Sequence, residues 1–559
     1  MKDWKMGIDC PNWANDDYKL MIQDYLLEGE TPALAYIRVA DSAANELGKP
    51  EMAKDFLEDI WKGWLCLSSP VLANSGTIRG LPISCFGIHY PDSTSGIGLK
   101  YHELMMMSKV GGGVGQKFTP IRPAGTPISD IGTADGSIPF MKISDTIVEK
   151  MKQGKVRKAA GSANLNIEHP DFFNGFLDAR RGKGDISLQF QKIHQCAVID
   201  DTFMEKVADT KSNEFRDFAR VVRTRIETGE PFILYADNAN KTLPAWYKNR
   251  GFKIDMTNIC TEIMLMCDED HSFVCCLSSV NLSKYHEWKD TGFIKRAIYF
   301  LDGVMSEFIR KAKNYRGLEA ATRFAEKSRA LGLGVLGWHT FLIQENLPFT
   351  HYLAKSWTNE IFGYIKEQAE EASVELAKIF GEPEWMYGYG RRNSHLLAIA
   401  PTTSNAILSG GKSPNHEPYK AVYWAERSAK GLIYRKIPMF EKLLDDLGEN
   451  KPEVWSSILK YNGSVQHLKF LNADQKKLYL SFVEIDQKEL LIAAGIRQTY
   501  IDQGMSLNLA FPLDTKAVEL IKIHYLAWKL GLKTLYYLHS NSALSADLID
   551  IDNCGSCDG

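Results

Sequence analysis

Ten cysteines are spread unevenly along the chain, and their placement asks for chemistry rather than packing. They stand at 10, 66, 85, 196, 260, 267, 275, 276, 554 and 557, so four crowd into 260–276 and none falls between 277 and 553. Cysteines that only fill a core scatter, and ten in 559 residues are too few for a disulfide scaffold. Cys260 lies between Asn258 and Glu262 in the word NICTEIMLM. If that segment is extended, alternate side chains share a side. An amide, a thiol and a carboxylate then form a polar row suited to hydrogen bonding, thiol chemistry and proton abstraction. Near the C-terminus, Cys554-Gly-Ser-Cys557 has the spacing of a dithiol that closes a small ring and exchanges with other disulfides. A mobile dithiol needs another disulfide to reduce, and the internal cysteines could supply it.

Zinc is the rival reading of the cluster. Cys267, His271 and Cys275 are spaced by four with Cys260 nearby, but the spacings match no common finger and the cluster contains no CxxC. A zinc-dependent hydrolase built on residues 260–276 is therefore the alternative from another enzyme class. GGGVG at 111–115 follows a helix-like run rather than a strand, which is weak support for a dinucleotide fold. A backbone anion nest and a plain turn both remain open there. GGKS at 410–413 lacks the earlier glycine of a phosphate loop, having Ala406, and Pro414 stands where a helix should begin. PTTSN at 401–405 reads equally as an anion-holding helix N-terminus and as an ordinary cap. Tyr536 and Tyr537, in an apolar strand, read as packing when taken alone.

The elements that must position these groups alternate. Residues 1–65 read as helical, 68–95 as short strands and turns, and 96–110 as helix-like. A helix is predicted from Phe140 to Met151, an exposed basic loop over 152–164, strands within 185–200 and helix over 201–229. Two short apolar strands or loops surround the cysteine cluster in 252–281. A long helical zone covers 284–381, clearest at 357–380, where the apolar spacing is helical and Gly381 and Pro383 stop it. Further on come a helix near 466–498, the strand-like SLNLAFPL, a helix over 515–530 and a strand TLYYL. The class is α/β.

Composition sets outer bounds. Hydrophobic residues make up 45% and charged residues 24%, which suits a globular chain with a core and excludes wholesale disorder. A net charge of -3 does not advertise a nucleic-acid binder. No apolar run reaches the ~18 to 20 residues that cross a bilayer, and MKDWKMGIDCPNW has no signal-peptide core. A cytoplasmic enzyme is expected.

Taken in order, several words resemble the catalytic, or large, subunit of class I ribonucleotide reductase. They are ISCF around Cys85, NICTEI at 258–263, CCLSSVNL at 275–282, APTTSNAI at 400–407, IDQGMSLNL at 501–509, LYYL at 535–538 and the terminal CGSC. The resemblance covers about residues 60–559. It implies a ten-stranded α/β barrel of two five-stranded halves with a central finger loop and surrounding helices. The implied organisation is a short helical region at 1–65 without an ATP-cone, a catalytic barrel at 66–542 and a flexible redox-active tail at 543–559. No overall activity site is then expected, and the compact length resembles viral, especially phage, enzymes, placing the protein in a host cytoplasm if phage-encoded.

The resemblance also implies roles. Cys260 becomes a thiyl radical that removes the substrate's 3'-hydrogen, Glu262 takes the 3'-hydroxyl proton and Asn258 orients the sugar. Cys85 and Cys275 supply the reducing electrons and finish as a disulfide. Cys554 and Cys557 then reduce it and are recycled by thioredoxin or glutaredoxin. Taking hydrogen from a ribose carbon needs a one-electron oxidant that a bare side chain cannot generate. The family's answer is a separate radical-generating small subunit acting through paired tyrosines, which Tyr536 and Tyr537 match, with no metal bound in this chain. The tyrosine pair favours class I over an adenosylcobalamin-dependent class II enzyme. Substrate phosphates are expected between Ser69, Ser84, Gly112 and Gly113 on one side and Thr402, Thr403, Ser404 and Asn405 on the other. A ribonucleoside diphosphate is the implied substrate. A deoxynucleoside triphosphate effector at a homodimer interface is expected to meet Asp92, Arg122 and a loop near 155–164 carrying Arg157. One departure is Ser129, where the family has a second effector-phosphate arginine, with Lys117 as a candidate to compensate. Neither nucleic acid nor a membrane is an implied partner.

Overall fold

The computed structural model describes residues 10–130, 132–153, 157–180, 189–428 and 431–540. Five strands form one half of the architecture: β1 (Cys85–His89), β2 (Gly113–Lys117), β3 (Ala160–Asn166), β4 (Ile193–Ile199) and β5 (Phe232–Tyr235). Each is parallel to the next in chain order. They are buried continuously rather than at alternate residues, as IHQCAVI and FILY are, because helices outside and a filled interior bury both faces.

The second half begins with β6 (Val274–Asn281) parallel to β7 (Leu331–Leu336). Leu333 then bridges Leu397, and Ile399 bridges Met505, both in parallel. The chain leaving Met505 becomes β8 (Leu509–Phe511), which pairs in parallel with the last piece of an interrupted strand, β9 (Thr534–Leu535) and β10 (Leu538–Ser540). The two halves meet twice, and both seams are antiparallel. β1 lies against β6 with Cys85 opposite Cys275, and β5 lies against β9. The circuit closes, giving a barrel of ten strand positions in two parallel halves, as the resemblance implied.

Helices cover the outside. Helix Phe293–Ala312 packs against the N-terminal helix Pro32–Leu47 so closely that a Cβ on Gly303 would lie 2.2 Å from the Ala43 carbonyl oxygen. Residues 419–479 leave the barrel and hold a second, smaller core around Phe440, Leu444 and Ile458. Among the described residues no helix is long and apolar enough to cross a membrane.

Several local expectations are corrected. Residues 152–164 are not one exposed loop, since Ala160–Asn166 is the buried strand β3 and only Lys152–Gln153 and Arg157–Lys158 pair as a short ribbon. The predicted helical zone at 284–381 is split by β7. Its Gly334 admits the neighbouring chain, and a Cβ there would lie 2.6 Å from the Ala398 carbonyl oxygen. The helix predicted near 466–498 is two: Ala473–Leu478 opens on a capping box at Asn472/Gln475, and after a single 3-10 turn boxed by Ser481/Glu484 the helix Gln487–Gln498 opens on Asp486. Ser69–Asn74 is a short helix rather than strand, with Pro70 in its first turn. TLYYL is not one regular strand either: the strand is interrupted at Tyr536 and Tyr537, although the Tyr536 N–H still bonds the Leu507 carbonyl at 2.8 Å and the Leu509 N–H the Tyr537 carbonyl at 3.0 Å.

Candidate active site inside the barrel

Residues 252–273 carry no regular secondary structure, and 256–267 are buried throughout. A buried loop must find partners for its main chain, and the barrel wall provides them. Asn164 on β3 donates Nδ2 to the Thr257 carbonyl and accepts the Thr257 N–H, both at 3.2 Å. Ser506 Oγ donates to the Cys260 carbonyl at 2.5 Å, Thr534 Oγ1 to that of Thr261 at 3.0 Å, and the Gly504 N–H to that of Glu262 at 2.8 Å. The loop also needs space. A Cβ on Gly115 of β2 would sit 2.2 Å from the Thr257 carbonyl oxygen, so this position admits no side chain while the loop is in place.

The extended row expected at Asn258, Cys260 and Glu262 is a turn instead. The Thr261 N–H bonds the Asn258 carbonyl at 3.3 Å, and Thr261 has a φ of 67°. Asn258 Oδ1 accepts the Ile263 N–H at 3.0 Å, tying the two sides of the turn together. The groups still converge, because β1 brings Cys85 to them. Asn258 Nδ2 lies 3.1 Å from Cys85 Sγ, which donates to Glu262 Oε1 at 3.6 Å. Ser506 Oγ approaches Glu262 Oε2 at 3.4 Å. Cys275 stands directly across the β1/β6 seam from Cys85, within 3.7 Å of Gln503 Nε2.

Burial dominates the electrostatics. It lifts the Glu262 carboxyl to about 7, against hydrogen bonds from Asn258, Cys85 and Ser506 that favour the ionised form. It holds the Cys85 and Cys275 thiols well above the ordinary range, and the neighbouring Glu262 adds to both. Neutral buried thiols are poor nucleophiles. They retain S–H bonds, which hydrogen-atom chemistry needs. The other members of the presumed zinc cluster are engaged elsewhere: Cys267 donates to the Gly87 carbonyl at 3.4 Å and His271 pairs with Asp268 at 3.0 Å.

Tyr536 and Tyr537 lie where the last strand is interrupted. Their ring centroids are 4.4 Å apart, and Phe232 packs on both at 4.5 and 4.8 Å. Tyr536 is buried and Tyr537 half-buried, so the pair runs from the interior toward the surface. Burial raises both phenols well above the ordinary tyrosine range, and Cys260 adds to each.

The remaining predicted groups are placed as follows. The Ser84 hydroxyl is buried and has no hydrogen-bond partner among the described residues, while Ser69 Oγ donates to the Tyr25 hydroxyl at 3.3 Å. Thr402 takes a φ of 41° ahead of helix Thr403–Leu408, and its Oγ1 accepts the Asn415 N–H at 2.7 Å. Thr403 is exposed, Ser404 half-buried and Asn405 buried. Ser409 donates to Cys66 at 2.9 Å, tying the end of that helix to the strand Leu65–Leu67. The Gly112 and Gly113 amides are spent on the Met107 and Ser84 carbonyls at 3.0 and 2.8 Å, so in this conformation they offer no free donors. Arg122 Nε is paired with Asp92 at 2.8 Å on the surface. Lys117 is bound to Asp255 at 2.5 Å, which commits it elsewhere than to Ser129, an exposed residue with a φ of 43°. Arg157 begins the short Arg157–Lys158 strand. Cys554 and Cys557 lie outside the described residues.

Gln503, Ser506, His194 and Glu230 were missed as site-lining groups. The first two sit inside the quoted word IDQGMSLNL, where polar residues facing a barrel core were the available signal. The family described as ribonucleotide reductase, barrel domain, matches residues 83–217, 211–388 and 383–538, and the one described as ribonucleotide reductase, all-alpha domain, matches 17–80. The chain belongs to the ribonucleotide reductases. A Frog virus 3 protein provisionally named as a ribonucleoside-diphosphate reductase large subunit is 37% identical, over 92% of this chain and 93% of its own. The ribonucleoside-diphosphate reductase large subunit of Invertebrate iridescent virus 3 is 31% identical over 89% of each. Among solved structures, the Actinobacillus ureae class Id ribonucleotide reductase alpha subunit superposes with a TM-score of 0.89 at 40% identity, covering 96% of this reductase and 99% of that chain. The likeness is therefore to a class I large subunit over nearly the whole length.

Proposed function

We propose that this reductase is the catalytic subunit of a class I ribonucleoside-diphosphate reductase, converting ribonucleotides to 2'-deoxyribonucleotides. The observation that carries the reading is the convergence of Asn258, Glu262, Cys85 and Cys275 around the Cys260 turn inside a closed barrel, with Tyr536 and Tyr537 leading outward from it. In this reading the Cys260 thiyl takes the 3'-hydrogen atom, leaving a carbon radical and an intact S–H. Glu262, as carboxylate, takes the 3'-hydroxyl proton, and the 2'-hydroxyl, protonated by one of the thiols Cys85 and Cys275, leaves as water. The other thiol gives a hydrogen atom to C2', and the pair passes one further electron to the sugar and becomes a disulfide. Glu262 returns its proton to the 3'-oxygen, and Cys260 returns its hydrogen to C3'. The raised pKa of Glu262 suits a group that must take a proton and give it back near neutrality.

The oxidant comes from a radical-generating small subunit, and the half-buried Tyr537 is the entry point. Ser84, Ser69 and the residues from Thr402 to Asn405 hold the substrate phosphates, aided by the N–H groups that open the helix Thr403–Leu408. Asp92, Arg122 and Arg157 belong to a deoxynucleoside triphosphate effector site, and the Asp92–Arg122 pair opens to receive it. Cys554 and Cys557 reduce the spent disulfide and are recycled by thioredoxin or glutaredoxin. The enzyme works as a homodimer in the cytoplasm. Helices Thr94–Lys109 and Ile138–Lys150 support the dimer, because they pack together and expose Leu99, Met105 and Ile143 by 68%, 36% and 45%.

The test is ribonucleoside diphosphate reduction with a matched small subunit added or omitted. Deoxynucleotide is expected only with the partner, and none from Cys260→Ala. Product supported by adenosylcobalamin alone would overturn the class I assignment and return the tyrosine pair to packing.

A further inference from the structure

His194, at the start of β4, faces the tyrosine pair from the barrel wall. Its Nδ1 lies 2.6 Å from Glu230 Oε1 and 3.5 Å from the Tyr537 hydroxyl. The imidazole stacks on Phe232 at 5.6 Å and meets the Tyr537 ring edge-on at 6.0 Å, so its orientation is fixed by packing. Glu230 is buried and held in turn, its Oε2 accepting the Gln195 N–H at 2.9 Å and lying 3.4 Å from Arg180 Nε. Burial pushes this carboxyl up, but Arg180, His194 and the Gln195 N–H outweigh it and hold Glu230 below the ordinary carboxylate range. A carboxylate only accepts hydrogen bonds, so the shared ring nitrogen is the donor. At 2.6 Å the Nδ1–H is directed at Glu230, and the phenolic oxygen of Tyr537 lies beside that N–H at 3.5 Å, on the longer arm of the contact.

We infer that His194, locked by Glu230, is a positioning residue for the oxidation and re-reduction of Tyr537. It keeps the positive end of its Glu230-bound N–H beside the phenolic oxygen, 3.5 Å away, and so sets how readily that oxygen carries charge or spin. The inference rests on the proposed role of the tyrosine pair. Tyr537 begins the path one hydrogen atom short, a deficit supplied by the one-electron oxidant of the small subunit. It takes one hydrogen atom, proton and electron together, from the Tyr536 O–H, and Tyr536 then takes one from the Cys260 S–H. His194 neither gains nor loses a proton in these steps. A donor that keeps its proton steadies the oxygen without draining the hydrogen that must move. The other titratable groups facing Tyr537 are Tyr536, Cys260, Arg180 and His539, whose ring centroid lies 5.7 Å away.

The test places 3-nitrotyrosine at 537 in the full chain and reads its ionisation by absorbance, without the small subunit. A hydrogen bond to a charged group stabilises it, so removing the donor weakens the nitrophenol as an acid. In His194→Phe and His194→Leu the ionisation constant should fall on the order of tenfold, about one pKa unit. In His194→Asn, whose amide N–H can reach the same place, it should return toward the parent value. With the natural tyrosine and the small subunit present, turnover should fall in the same order. An unchanged nitrophenol pKa in either donor-free variant overturns the inference, as does an Asn variant that behaves like Phe. Failure of the radical path is distinguishable. Full turnover by Tyr537→Phe would sink that reading while leaving the nitrophenol shift untouched.

Discussion

The proton-accepting role proposed for Glu262 falls on a fully buried carboxyl, and the consequences run through both activity and stability. Its folded pKa of about 7 stands above the ~4.3 of a free glutamate. The native state therefore binds this proton more tightly than the unfolded chain does. The associated stabilisation is complete below about pH 4 and is lost as pH rises through 7, a difference of about 4 kcal/mol at most. Glu262→Gln should melt higher than the parent at pH 8, with the gain shrinking toward pH 5. A melting difference independent of pH would contradict the assignment. The same variant should form no deoxynucleotide, and the parent's activity should fall on the acid side with a midpoint near 7. At this scale the sequence was informative about which residues matter and misleading about how. Alternation suggested an extended row, yet a turn at Thr261 brings the groups together, and its partners lie hundreds of residues away at Cys85 and Ser506.

At the scale of elements, the loop bearing Cys260 is held by its fit against β2. Gly115→Ala places a methyl group 2.2 Å from the Thr257 carbonyl oxygen, a contact with backbone that no rotamer relieves. Overpacking of this kind costs about 1 to 3 kcal/mol, and it should displace the loop. We expect a lowered melting temperature and product formation reduced more than tenfold. Gly363→Ala, in the helix Tyr352–Phe380 with only an ordinary 3.6 Å contact to Tyr500, should leave both intact. Equal losses in the two variants would mean that the fit at Gly115 has no special part in activity. That long helix was legible because its apolar spacing repeats for many turns. β3 and β7 were not, since both are small, glycine-bearing strands buried on both faces: AGSANLN alternates only weakly, between alanine, leucine and short polar residues, and LGLGVL alternates leucine with glycine rather than with a polar residue.

The closed barrel is a property of the whole molecule that no local pattern discloses. Its circuit passes through single bridges at Leu397, Ile399 and Met505, too short to register as strands, and only the resemblance suggested it. The assembly prediction belongs here as well. Light scattering should show a dimer when deoxynucleoside triphosphate is present, and Leu99→Glu should weaken it; a monomer with every nucleotide would contradict the proposed interface. The tail predicts a split between first and later turnovers. With Cys554 and Cys557 both changed to serine, one equivalent of substrate should still be reduced per active site, whereas continued turnover with thioredoxin should stop. Undiminished multiple turnover would remove the tail from the mechanism.

The antiparallel seam at β1 and β6 has a consequence of its own. Cys85 and Cys275 are facing residues of one ladder, and facing residues on antiparallel strands already stand at the ~4.5 to 5.5 Å spacing that a disulfide spans. Joining them asks only for side-chain rotation, and parting them gives the barrel nothing to spring back to. A charged enzyme and a spent one would then share a single outline. The small subunit, the effector and the second protomer would meet the same surface in either condition, leaving only a reagent that reaches the two sulfurs able to tell them apart.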